Sequence, residues 1–165
     1  MNEVLRAIQE RRSIRVFRPD PVEPEKVDAI LDAGRWAPSG KNTQPWRFVV
    51  VESKEKRDEL GRIVTQMDMV RSAPVTIAVL LDTRAGYDAT KDAQGIGACA
   101  QNMLLAAHSL GLGACWIGRV RDEQVEGILG AKDHEELMML IAIGYPAETP
   151  PVRERRPLGE LVRRI

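Results

Sequence analysis

Cysteine and histidine are scarce in this chain, with two of each among 165 residues. Cys99 and Cys115 lie in apolar surroundings without metal-ligand spacing, so both read as buried thiols and no structural disulfide is expected. His108 falls late in an apolar, helix-like stretch and His134 in the acidic turn 132–136. Neither stands beside a nucleophile signature, which argues against a Ser/His/Asp hydrolase, and two Cys with two His in unpaired spacing argue against zinc or another metal site. Net charge is also missing: 24 basic residues balance 24 acidic ones. The chain therefore lacks the positive field of a protein that holds nucleic acid through its phosphates. No apolar run approaches the roughly 20 residues that span a bilayer, and the N-terminal MNEVLRAIQERR has no apolar signal core. The expectation is a soluble cytoplasmic protein with neither nucleic-acid nor membrane partners. A GxxxxGK[ST] phosphate loop is absent, and Gly111-Leu112-Gly113 lacks the third glycine and following helix of a dinucleotide fingerprint. No carboxylate pair is singled out by an apolar setting, so no general acid or base is nominated.

What the chain does have is two dense arginine clusters far apart in sequence, Arg11-Arg12-Ser13-Ile14-Arg15 and Arg153-Glu154-Arg155-Arg156. In a neutral chain such density has no general electrostatic purpose. If the fold brings the clusters together they form a local site for a small anion, because each guanidinium offers forked donors that match phosphate oxygens and stays charged at any working pH.

Helix and strand signals interleave without a linker, giving one α/β domain over residues 1–165. Val4, Leu5 and Ile8 mark a short amphipathic helix running into the first cluster, and residues 13–17 read as extended. Pro24 suits the first turn of a second helix carrying Val27, Ile30 and Leu31, which should stop near Trp36 because Pro38 disfavours helical geometry before it. Residues 46–51 form a strand, and Ser53 caps a helix through Leu60, Ile63, Val64 and Met67. The run 75–81, apolar apart from Thr76, is read as a strand covered on both faces, hence central in its sheet. The longest helix spans about 90–110, with Ala93, Ile96, Ala100, Met103, Leu104, Ala107 and Leu110 on one face and Gly111 ending it. Its small residues Gly95, Gly97, Ala98 and Ala100 fit close helix packing within the domain or a helix pair across a homodimer. Residues 114–117 and 137–143 supply two further strands around a short helix ending at Gly130, and the proline-bearing tail after Pro146 is expected to be extended.

Four segments in order, RRSIRVF at 11–17, APSGKNTQPW at 37–46, GLGACWIG at 111–118 and IGYP at 143–146, resemble the FMN-dependent nitroreductase family over almost the whole chain. The resemblance implies an α/β homodimer (a nitroreductase-like α+β fold) with a central mixed sheet flanked by helices, an extended C-terminal tail and FMN at the subunit interface. It implies that Arg11 and Ser13 contact the FMN phosphate and ribityl chain with Arg12 close by, while Arg153 and Arg155 close over the same phosphate. Arg15 falls near the pyrimidine edge of the ring, where a cation stabilises the reduced flavin. Pro38, Ser39, Gly40 and Asn42 match the segment that reaches the flavin from the partner subunit, with Gln44 shaping that loop. Ile117 and Gly118 match the turn facing N5, and Gln66 aligns with a ring-contacting amide. The activity implied is ping-pong hydride transfer from NAD(P)H to a nitroaromatic, quinone or flavin, with no catalytic side chain because the chemistry occurs at FMN N5. Larger members carry an insertion where this chain has only about residues 83–89, which implies a more open site. A deazaflavin donor, or an FMN storage or sensor protein without turnover, are the alternatives kept open.

Overall fold

The computed structural model describes residues 1–64, 67–120 and 122–165, with the backbone alone at Met67. Helices α1 Glu3–Glu10, α2 Pro24–Arg35, α3 Lys54–Ile63, α4 Met67–Ser72, α5 Ala89–Ser109, α6 Glu123–Leu129 and α7 Leu158–Leu161 surround strands β1 Trp46–Val51, β2 Val75–Asp82, β3 Gly113–Ile117 and β4 Glu135–Gly144. The strands form one sheet in the order β1-β2-β4-β3. All three pairings are antiparallel, so the expected mixed sheet is mixed only through an isolated parallel bridge between Ser13 and Ala114.

β2 is central and every one of its residues is buried, as an apolar run covered on both faces requires. Side chains alternate between two cores. Ile77, Val79, Ile141 and Ile143 face α2 and α5, where they meet Ile30, Ile96 and Met103. Ala78, Leu80, Leu140 and Ala142 face the opposite layer, with Leu60, Val70 and Val125.

Local chemistry sets the helix ends. Pro24 occupies the first turn of α2, which stops at Trp36. The Asp88 side chain accepts from the Lys91 N–H at 2.9 Å to start α5, and Asp92 reaches back to the N–H groups of Tyr87 and Asp88, each at 3.0 Å. At the far end Gly111 takes φ +77°, which lets Leu112 N–H bond Ala107 O at 2.9 Å and Gly111 N–H bond His108 O at 3.1 Å. This left-handed cap turns the chain directly into β3.

Two expectations are corrected. The helix expected to run through Met67 is two helices, because Val64 is extended at φ −75° and ψ 143° and closes α3. Ala93 is exposed although its spacing places it on the apolar stripe; in the first turns of α5 the buried position is Asp92, held by its capping bonds. Close approach of α2 and α5 also uses Gly34 of α2, where a Cβ would lie 2.8 Å from Met103 Cγ and 3.1 Å from Cys99 Sγ. Gly95 instead faces the loop after α2, with Pro38 O 3.6 Å from where its Cβ would be.

Candidate functional site

The first arginine cluster leaves α1 at Arg11, whose φ and ψ of −54° and 132° end the helix, and crosses the end of the sheet where β3 begins and β4 finishes. Ile14 N–H bonds Ala114 O at 3.1 Å, Arg18 N–H bonds Tyr145 O at 2.9 Å and Ala147 N–H bonds Val16 O at 2.9 Å. Ile14 and Phe17 point into the core while Arg15 and Val16 stay exposed, so the segment is anchored by its apolar residues and presents its basic ones. After β4 the chain returns over the same end of the sheet, and residues 150–153 with Arg155 form the opposite wall of a cleft of about 850 Å³. Arg11, Arg12, Ser13 and Arg15 line one side of it; Arg153 and Arg155 line the other. A second cavity of about 290 Å³ continues inward past Arg11 and Arg12 to His108, Leu112 and Glu148. Two clusters 140 residues apart in sequence thus meet at one cleft.

The guanidiniums differ in how they are engaged. Arg12 Nη1 donates to Gln9 O at 2.6 Å and Arg11 O at 2.9 Å, which ties it to the helix end. Arg15 makes a 3.3 Å bond to Ser13 O, and Arg155 a 3.4 Å bond to Glu154 O. Among the described residues, the Arg11 and Arg153 guanidiniums have no hydrogen-bond or ion-pair partner. Converging cations left unpaired by the protein, in a cleft of ligand size, are a cradle for an anion. Cys115 lies beneath this segment; burial pushes its thiol up, while Arg15, Ser13 and Arg11 pull the other way.

The remaining site residues lie elsewhere. The loop between α2 and β1 holds Pro38, Ser39, Gly40 and Asn42 at the far end of the sheet, where Asp82 N–H bonds Pro45 O at 2.7 Å and Asp82 pairs with Glu135. From Glu135 to Ile143 β4 rises about 27 Å at ~3.4 Å per residue, so this loop does not reach the arginine cleft of its own chain. It is an unusual loop: Lys41, Asn42 and Gln44 all have positive φ, 52°, 56° and 48°. Bonds from Gln44 N–H to Ser39 Oγ at 3.0 Å and from Asn42 N–H to Ser39 O at 3.0 Å hold that backbone, as does packing of Tyr87 on Gly40. Left-handed non-glycine residues of this kind cluster at ligand sites. Ile117 is buried at the end of β3, about 10 Å along the strand from Ala114, and Gly118 is exposed just beyond it. Gln66 lies outside the described residues. No group of three or more His, Cys, Asp or Glu among the described residues is arranged to hold a metal, and no described helix is long and apolar enough to cross a membrane.

Sequence reasoning missed the middle of the cleft wall, Pro150 to Val152, and it missed Glu148. The sequence offers no signal for Glu148, because its partners Arg15 and Val16 are 133 and 132 residues away.

The sequence model described as the nitroreductase family matches residues 8–67 and 64–145. A candidate NADH dehydrogenase/NAD(P)H nitroreductase of Methanothermobacter thermautotrophicus is 39% identical over 156 residues, covering 92% of this chain and 82% of that protein. Among solved structures, a candidate nitroreductase of Desulfovibrio desulfuricans in complex with FMN superposes with TM-score 0.90 at 43% identity, covering 98% of this chain and 96% of the other. The NADPH:FMN oxidoreductase of Vibrio harveyi, complexed with NAD+, gives TM-score 0.90 at 30% identity over 99% of this chain and 77% of that one.

Proposed function

Because this chain belongs to the nitroreductase family, we propose that it is an FMN-dependent oxidoreductase that moves reducing equivalents from NAD(P)H to an electron-poor small molecule such as a nitroaromatic, a quinone or a free flavin. The observation that carries the assignment of the site is the convergence of six residues, Arg11, Arg12, Ser13, Arg15, Arg153 and Arg155, on one cleft, two of whose guanidiniums lack a partner among the described residues. A dianionic phosphate satisfies them. When bound, FMN would supply the hydride chemistry of a ping-pong exchange between the nicotinamide and the acceptor.

The chain's own part is binding, orientation and charge. Arg11 and Arg153 hold the phosphate from opposite walls, with Ser13 and Arg155 adding donors and Arg12 bracing the end of α1. Arg15, exposed on the strand-like segment, would supply a positive charge that favours the reduced form of the bound flavin. Backbone at Ile117 and Gly118 meets the ring region, where a glycine leaves room for substrate. No side chain is needed to move a proton at the reacting atoms.

A homodimer completes this site. The loop bearing Pro38, Ser39, Gly40 and Asn42 stands at the opposite end of the sheet from the cleft, so in this reading it serves the partner's cofactor. Exposed apolar residues support association: α1 shows Val4 at 65% and Leu5 at 50%, and the tail shows Val152 at 75% and Leu158 at 71%. Residues 1–165 act as a single FMN-binding domain, one sheet with a core on each face. The free, buried thiols of Cys99 and Cys115 suit a reducing cytoplasm.

The decisive test is the visible spectrum of the purified protein, followed by oxidation of NADH, NADPH or a reduced deazaflavin with quinone and nitroaromatic acceptors. A yellow protein that turns over with a nicotinamide supports the proposal. A colourless protein that refuses added FMN overturns it, and an FMN-bound protein without turnover reassigns it to storage or sensing.

A further inference from the structure

We infer that Glu148 is a positioning residue for the cofactor: its carboxylate clasps the backbone of the first arginine segment and anchors the root of the tail that carries the second, so one side chain sets where both clusters stand. The inference rests on the reading of the cleft as an FMN phosphate site.

Three observations converge on it. Residues 13–18 are tied to the sheet at two points, the Ser13 to Ala114 bridge and the Phe17 to Pro146 bridge. Between them two consecutive donors, the N–H groups of Arg15 and Val16, are taken up by Glu148 Oε1 at 2.5 and 3.2 Å. Two adjacent N–H groups thus converge on one oxygen of the protein's own carboxylate. Glu148 thereby fixes the direction in which Arg15 leaves the segment.

Its place in the chain supplies the second observation. Glu148 sits two residues before Pro150, which lines both the outer cleft and the inner cavity. Ala147 N–H is already bonded to Val16 O. Together the two contacts staple the start of the tail to the arginine segment immediately before the tail turns over the cleft.

The third is what Glu148 does not do. It lines the inner cavity beside Arg11 and Arg12, yet among the described residues it forms no ion pair. A carboxylate in such company that bonded a guanidinium would neutralise it. Committed to backbone donors instead, it leaves the arginines for the ligand.

The test compares E148A, E148Q and E148D in the full-length protein. FMN affinity is measured by fluorescence quenching, and backbone amide exchange is followed without ligand. Gln keeps an acceptor at the same reach without charge, whereas Asp keeps the charge but falls about 1.5 Å short. E148A and E148D are expected to lose roughly tenfold or more in FMN affinity and E148Q no more than about threefold, with faster exchange confined to Arg15 and Val16. The inference is overturned if E148A binds FMN within about twofold of the parent, if Asp preserves binding and Gln does not, or if exchange rises throughout β2 and α5. Should E148A fail to fold, the Gln and Asp pair decides alone. A parent protein that does not bind FMN defeats the cofactor reading itself, which is a different result from a parent that binds and a set of variants that bind equally well.

Discussion

Replacing Arg11 by alanine isolates the phosphate assignment better than any other single change. Arg11 lines both the 850 Å³ cleft and the 290 Å³ cavity behind it, and its guanidinium has no partner among the described residues. Its fold-level contribution is a backbone one, the 3.0 Å bond from its N–H to Ala7 O that closes α1, and alanine keeps that bond. The apo protein should therefore change in stability by no more than about 0.5 kcal/mol, as expected of a substitution that removes no packing. Loss of one charge-assisted hydrogen bond to phosphate costs about 1.5 to 3 kcal/mol, or roughly 10- to 150-fold in the Kd for FMN. Titrating the apo protein with FMN and with riboflavin while following flavin fluorescence separates phosphate from ring contacts. FMN should weaken in the variant and riboflavin should not. Adding Arg153→Ala closes a double-mutant cycle, and two residues on one phosphate should couple by about 0.5 kcal/mol or more. An Arg11→Ala protein whose Kd for FMN stays within about twofold of the parent, or whose losses for FMN and riboflavin are equal, refutes the reasoning.

Other perturbations probe the scaffold. Glu23 accepts from the Tyr145 hydroxyl at 2.8 and 2.7 Å, and this bond above all, with its own backbone and Lys26 helping, holds its carboxyl down to about 2 from an ordinary 4.5. A depressed carboxyl contributes its stability above the unfolded value and loses it as pH falls through the folded one. The melting-temperature gap between parent and Glu23→Ala should thus be full above pH 4.5 and shrink toward pH 2; a gap independent of pH would contradict the bond's ionic character. Burial pushes Cys99 up to about 12 and raises Cys115 as well, so a disulfide reagent at neutral pH should label neither thiol in the native protein and both after denaturation. Rapid native labelling of either would show that its burial is not maintained. Gly113→Ala places a Cβ 2.8 Å from three side-chain carbons of Ile14, whose backbone is itself bonded to Ala114, so the arginine segment must shift. A loss of about 1 to 3 kcal/mol in stability is expected, accompanied by weaker FMN binding; unchanged melting and unchanged affinity would count against rigid coupling of the two.

How much of this was readable in sequence depends on the range of the interaction that decides each feature. The ends of α2 follow from Pro24 and from Pro38 two residues beyond Trp36, the centrality of β2 from an apolar run with no polar face, and the end of α5 from Gly111; each is set within a few residues. The break between α3 and α4 was hidden because Leu60, Ile63 and Val64 keep helical spacing right up to the point where Val64 turns extended. Gly34 gave no sign of its part, since Met103 and Cys99 meet it from another helix. At the site the residue types were legible and their assembly was not. Arginine density marked both clusters as a candidate anion site, but only the fold shows them on two walls of one cleft, or places the loop with Lys41, Asn42 and Gln44 at the sheet's opposite end. The positive φ values of those three residues have no local sequence cause except at Asn42, whose short polar side chain tolerates that region.

The two walls of the cleft are not mechanically equal, and this bears on how the cofactor is held. The first is bonded to Ala114 and Tyr145, and its Ile14 and Phe17 are buried, so it shares the rigidity of the sheet. The second is exposed at every residue from Pro151 onward and, among the described residues, is hydrogen-bonded to the first wall at its root, by Ala147 and Glu148. On the proposed phosphate reading, the ligand's charge would meet a fixed half-site and one that must be ordered, which costs about 0.5 to 1.5 kcal/mol for each long side chain immobilised. Anything that pre-orders the tail lowers that cost. The exposed Val152, Leu158, Leu161 and Val162 can do so by burial against a second copy, while Glu148 can do so only at the tail's root. Dimerisation and cofactor binding then draw on the same ordering step, so each should strengthen the other by an equal factor.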